Sequence, residues 1–194
     1  MGMAAGGFGI LMIFLILFYI MILALAVVDY ILSALACQTI ARRRGIKNPW
    51  FAWIPVMNVW QLGCISDQYR YQKTGVDRNL RKKLLWLMII TYICLAPMYM
   101  ADMFMTMAPE MGMSNEVVGI SAILTLILCI PVLVVSIIAC VYQYMAMFDI
   151  FRSCDPDKAT LFLILSIIFP MLYSIFLFMI RNKDLGLYPQ EYQA

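Results

Sequence analysis

The sequence predicts an all-α polytopic membrane helix bundle, with four transmembrane helices and a Trp-rich interfacial or re-entrant segment between the first two. Composition is the first reason. Hydrophobic residues fill 64% of the 194 positions and charged residues 13%, against roughly 45–50% and about 25% in a soluble domain. At a mean hydropathy of +0.88 the chain holds more apolar surface than one core can hide from water, so the excess has to face lipid. Patterning is the second reason: apolar residues fall into runs of bilayer length, and Lys and Arg gather between them. Residues 1–194 read as a single integral membrane domain, and the same composition excludes disorder, a coiled coil and a disulfide scaffold.

The first run, residues 10–41, carries a single charge, Asp29. As a helix it would measure about 48 Å against a hydrocarbon core of roughly 30 Å, so it must tilt or protrude. Arg42, Arg43, Arg44 and Lys47 follow it, which favours a cytoplasmic carboxy-terminal end and an amino terminus outside. Ala24, Leu25 and Ala26 resemble a signal-peptide cleavage site, yet no basic region precedes them and the apolar pattern continues to Ala41. An uncleaved anchor is therefore expected.

The second run, residues 84–107, starts from the cytoplasm after Arg81, Lys82 and Lys83, and Pro97 within it predicts a kink. Residues 108–116 contain Glu110 and Glu116 without a basic residue and read as an external loop. The third run, residues 117–151, contains Pro131 and ends beside Asp149 and Arg152 on the inner side. The fourth, residues 160–180, is centred on Pro170. A span is preferred here, because its length matches the roughly 20 residues needed and a lipid-exposed hairpin leaves backbone groups unpaired. The alternative folds back at Pro170 and keeps both ends cytoplasmic.

Residues 50–65 are too short to cross and return, and are broken by Pro55. Both flanks are basic, so the segment is expected in the interface, with Trp50, Trp53 and Trp60 as anchors at headgroup depth. An amphipathic lid over the inner end of the bundle is the plainer reading, and a re-entrant, substrate-contacting element is the other. Charge agrees with this topology: residues 42–83 hold ten Lys or Arg against Asp67 and Asp77.

Several kinds of chemistry are disfavoured. The chain has no histidine and no C-x-x-C pair among its six cysteines, which argues against a zinc site and against histidine-dependent proteases. No nucleotide-binding loop or nucleophile elbow occurs. No enzyme activity and no cofactor is expected. Ionisable residues within a bilayer are functional candidates by default, which singles out Asp29 and Asp102 as transport candidates. Tyr19, Tyr30, Tyr92 and Gln143 are the hydrogen-bond partners available to Asp29. The plainer reading lets the first helix slide until Asp29 reaches the inner headgroups, with Asp102 and Asp149 interfacial at their own helix ends.

Seven of 17 methionines fall in residues 98–113. Met100, Met103 and Met107 share a helical face, where soft sulfur could hold Cu(I), although methionine more commonly fills irregular apolar gaps. Arg70, Lys73, Arg78, Arg81, Lys82 and Lys83 could bind anionic lipid headgroups or a cytoplasmic partner. Nucleic acid is not expected, because the positive charge is accounted for by membrane sidedness. Tyr30, Ala34, Arg42 and then Pro55 loosely echo Tyr142, Ala146, Arg152 and then Pro170, which suggests a duplicated unit of helix plus proline-broken segment.

Two stretches carry a resemblance. Gly45-Ile-Lys-Asn-Pro-Trp-Phe-Ala-Trp-Ile-Pro-Val-Met-Asn-Val-Trp60, continuing to Ser66-Asp-Gln-Tyr69, resembles a motif of small multi-pass membrane proteins of Gram-positive, Firmicutes-type gut bacteria. Phe151-Arg-Ser-Cys-Asp-Pro156 with Phe178-Met-Ile-Arg-Asn-Lys-Asp-Leu-Gly186 is similar to their carboxy-terminal portion. The resemblance covers about a quarter of the chain and implies a bacterial cytoplasmic-membrane setting without any particular chemistry. The functional expectation is a non-enzymatic accessory or scaffold component of a membrane complex, acting with a membrane protein partner or as a homo-oligomer. The alternative is a small ion or solute transporter or channel using Asp29 and the breaks at Pro55 and Pro170.

Overall fold

The first apolar run contains neither proline nor any charge but Asp29, so nothing interrupts it. In the computed structural model it is a single helix, α1 (Gly2–Arg43). The structure describes residues 2–107, 112 and 115–183, with side chains at 11–107, 112, 119–120 and 122–183. Beyond Arg43 the chain reverses, and a 3₁₀ turn, Pro49–Trp53, descends alongside α1. The Tyr30 hydroxyl donates to the Trp53 carbonyl. The Trp53 indole N–H donates to Gln38 Oε1 at 2.8 Å.

Pro55 then opens α2 (Pro55–Thr74). Proline suits a first helical position, where its missing N–H has no intrahelical role. α2 climbs back toward the basic end, where Gly75 terminates it in the left-handed conformation at φ 68°, its N–H bonded to Tyr71 O at 2.8 Å. Of the two forms expected for residues 50–65, interfacial or re-entrant, the course of the chain is nearer the second. The segment is a dip of the chain beside α1, and its second half belongs to a longer helix running through the bundle.

The remaining long runs form α3 (Leu80–Met107) and α4 (Asn115–Cys154), continuous through Pro97 and Pro131. The loop expected at 108–116 lies largely outside the described residues. α3 and α4 pack along each other, α2 wedges against both, and α1 packs on the 3₁₀ turn, α2 and the last helix. Gly63 of α2 sets the α2–α3 approach: a Cβ there would lie 2.5 Å from the Arg81 Cα.

Residues 160–180 do not form one helix. α5 (Ala159–Ile168) stops at Phe169, held at φ −126° and ψ 89° by the following Pro170, and α6 (Leu172–Ile180) starts afresh. Phe162 of α5 stacks on Phe176 of α6, with centroids 4.6 Å apart. The ends also meet, since Lys183 Nζ lies 3.4 Å from Asp155 Oδ2. The expected fourth span is thus corrected to a hairpin that turns at Pro170, α5 being only about 15 Å long. The turn is exposed from Ile167 to Met171, but its N–H groups are paired locally, Phe169 donating to Leu165 O at 2.8 Å, Leu172 to Phe169 O at 2.9 Å and Tyr173 to Pro170 O at 3.3 Å, which weakens the objection to a hairpin.

Among the described residues, three helices are long and apolar enough to cross a membrane: Leu11–Arg43, Leu80–Met107 and Ala122–Cys154. Their outward faces carry exposed Leu, Ile, Val, Phe and Met, which points to contact with a lipid bilayer. The buried apolar core lies toward the basic end, around Ile40, Leu62, Ile65, Leu84, Ile150, Phe151 and Leu177.

Candidate functional site

At the basic end the hairpins are locked by buried polar bonds. Asp149 of α4 is 1% exposed and accepts from Ser66 Oγ at 2.8 Å and from Arg70 Nε at 2.9 Å. Arg70 NH2 completes the pair at 2.8 Å. The expectation of an interfacial Asp149 is corrected: α2 covers it. Donating to the Asp149 carboxylate holds the Arg70 guanidinium above its ordinary range.

Asp67, fully buried, accepts from the backbone N–H groups of Leu80 and Arg81 at 2.9 and 3.0 Å and so caps α3 from a neighbouring helix. Burial raises its carboxyl above the ordinary 3.8, with those backbone bonds pulling the other way. Arg44 lies buried between α2 and α4, donating to Ile65 O at 3.4 Å and to Ser153 Oγ at 2.6 Å, and Gln68 Nε2 donates to Arg44 O at 3.2 Å.

Below this plug lies a cavity of about 480 Å³, walled by α1, α2, α3, α4 and the α5–α6 turn. Asp29, Tyr30 and Ser33 of α1 face Pro55 and Asn58 of α2, Tyr92 of α3, Gln143 and Tyr144 of α4, and Pro170, Tyr173 and Ser174 of the second hairpin. Both proline breaks therefore reach one space. Asp29 precedes Arg43 by 14 positions, about 21 Å along the helix axis, which is bilayer mid-depth for a helix beginning at that basic end. The side chains of α1 from Leu11 to Val28, Ala26 of the lining among them, are exposed, so the cavity is plugged at the basic end and α1 is not packed over it on the other side.

The lining holds one carboxylate, several hydroxyls and two amides, with no lysine or arginine. Some of these groups are committed. Asn58 Nδ2 donates to Ala52 O at 2.9 Å and Ser166 Oγ to Phe162 O at 2.7 Å. Ser174 Oγ is fully buried without a hydrogen-bond partner, as are both side-chain polar atoms of Gln61 one residue before the lining Leu62. Chemically, the cavity can hold a cation or a protonated solute against Asp29 while hydroxyls and amides complete its coordination.

Of the four partners open to Asp29 by sequence, Tyr30, Tyr92 and Gln143 line this cavity, and Tyr19 is exposed elsewhere on α1. Asp102 lies exposed on the far half of α3, away from the cavity. Met100, Met103 and Met107 are 68%, 56% and 47% exposed on the same half. Trp50 and Trp53 are exposed, and Trp60 is half-buried against Phe51. Sequence reasoning missed Ser33, Asn58 and Ser174; for Asn58 the signal was a polar residue three positions after a proline in an otherwise apolar segment. No protein-family model, curated protein or solved structure matches this chain.

Proposed function

We propose that the chain is a small transporter or channel of a bacterial cytoplasmic membrane, in which Asp29 holds a cation or protonated solute in a cavity reached from the outer face. In this reading the basic end is cytoplasmic, the amino terminus is outside, and the protein is not an enzyme. The observation that carries it is that Asp29, Pro55 and Pro170 line one cavity. Broken helices at membrane depth are tolerated where they line a cavity, and transporters place their substrates at such breaks. A carboxylate there, with no lysine or arginine among the lining residues, favours a positively charged guest.

The test is purified protein in proteoliposomes, with proton flux read by an internal pH dye and with ²²Na⁺ and ⁸⁶Rb⁺ uptake. Wild type should carry at least one of these, and Asp29→Asn should reduce it ten-fold or more. Flux that is absent in both forms, or equal in both, overturns the reading.

One observation favours the accessory or homo-oligomeric reading: Leu11–Val28 is exposed on every side of α1, leaving a whole helix surface for another membrane helix. Cysteine cross-linking at Leu17 or Leu23 in native membranes tests it, and a chain that always remains monomeric and unlinked counts against it.

A further inference from the structure

The basic residues between α2 and α3 divide into two groups. Arg70 is spent on Asp149, and Arg81 lies 3.8 Å from Asp77, whose carboxylate also accepts from the Asn79 N–H at 2.9 Å. Lys73 is exposed at the end of α2, and Arg78, Lys82 and Lys83 are exposed at the head of α3. Two apolar grooves run away from them along the α3–α4 surface. One, of about 450 Å³, extends from Arg78 and Lys83 over Met145 and Val141 to Ile137 and Ile138. The other, of about 460 Å³, extends from Lys82 and Lys83 over Trp86 and Leu87 to Ile90. Lys83 and Tyr142 border both, with Lys83 Nζ 5.8 Å from the Tyr142 ring centroid, so this pair forms a ridge between them.

We propose that this ridge is the seat of one anionic diacyl phospholipid, its phosphate held by Arg78, Lys82 and Lys83 and one acyl chain lying in each groove. Charge and shape both select that occupant. Three cations at the groove mouths call for an anion, and the grooves below are walled by Ile, Leu, Val, Met and Trp, which call for hydrocarbon. Both point the same way: α3 leaves the basic end and α4 arrives at it, so Ile90 and Ile137 lie at the ends remote from the cations. A soluble phosphate would satisfy the cations and leave the grooves empty, whereas a zwitterionic lipid would fill the grooves without using the net charge. The site is separate from the Asp29 cavity and does not depend on the transport reading.

The experiment is native mass spectrometry of the full chain released from detergent after incubation with phosphatidylglycerol, phosphatidylcholine or glycerol 1-phosphate. Wild type should retain one phosphatidylglycerol at least ten-fold better than phosphatidylcholine and should not retain glycerol 1-phosphate. Lys83→Gln should lower that retention about five-fold, the ratio expected for one near-surface charge. Ile138→Trp, filling one groove with the cations intact, should lower it comparably, and Lys158→Gln, a basic residue outside the ridge, should leave it unchanged. Equal retention of both lipids, equal losses in Lys83→Gln and Lys158→Gln, an Ile138→Trp chain that binds like wild type, or binding of glycerol 1-phosphate as strong as that of the lipid would each overturn the proposal.

Discussion

Arg70 grips Asp149 with both ends of its guanidinium, Nε reaching Oδ1 and Oδ2 at 2.9 Å and NH2 reaching Oδ1 at 2.8 Å. The carboxylate is 1% exposed and the guanidinium side chain 28%, so the bond ties α2 to α4 at the edge of the buried region. Removing one partner strands the other. Arg70→Ala is expected to destabilise the detergent-solubilised protein by about 3 kcal/mol, because an uncompensated buried carboxylate remains. The double change Arg70→Met with Asp149→Leu should recover most of that loss. Thermal unfolding followed by thiol labelling of the buried Cys37, Cys64 and Cys154 reads both, and a double variant as unstable as the single one would refute the account.

Asp67 gives a pH dependence of definite sign. Its folded pKa lies above 3.8 because burial disfavours the charge, so its stabilising contribution is complete below the ordinary value and is lost as pH rises through the raised one. The stability difference between wild type and Asp67→Asn should therefore shift in favour of wild type as pH is lowered from 7 toward 4. A difference that is flat or shifts the other way sinks this assignment.

Gly63→Ala should cost about 1–3 kcal/mol, the usual penalty for overpacking. The added methyl meets the Arg81 backbone at 2.5 and 2.8 Å, and neither helix can give way without disturbing the Asp67 cap. A variant that melts like wild type would show that α2 and α3 are not this close.

The second hairpin can be trapped. Asp155→Cys with Lys183→Cys should be joined by a short bifunctional maleimide, because Lys183 Nζ reaches to 3.4 Å from Asp155 Oδ2 and the two positions therefore lie within about a lysine's length of each other. Were residues 160–180 a span, these positions would stand roughly 30 Å apart on opposite faces, and peptide mapping would find no such cross-link.

Helix class, the three long helices and the gathering of positive charge at one end were legible in the sequence, because composition and run length are local properties. The reversals were legible only as alternatives, through Pro55 and Pro170. Residues 160–180 have the length and apolarity of a span; the chain turns at Phe169 and Pro170, and the Phe162–Phe176 stack and the Lys183–Asp155 pair, both contacts across the turn, hold the two arms together. Asp149 reads as interfacial from its neighbour Arg152, whereas its partner Arg70 is 79 residues away in sequence. The segment at 50–65 was cut short at Ser66 because Ser66, Asp67 and Gln68 are polar. In the fold these three are buried, and bonds to Asp149, to the head of α3 and to Arg44 carry the helix on to Thr74. The surroundings of Asp29 were partly readable, since Tyr30, Tyr92 and Gln143 stand out as polar groups within apolar runs, whereas Ser33, Asn58 and Ser174 reach the cavity only through the fold.

The arginine and carboxylate bonds between elements gather at the basic end, while the far halves of α1, α3 and α4 extend past them. α3 and α4 stay packed on each other, whereas α1 packs only on the 3₁₀ turn, α2 and α6, so a swing of the far half of α1 alone would widen the Asp29 cavity while the arginine bonds and both hairpins stay intact.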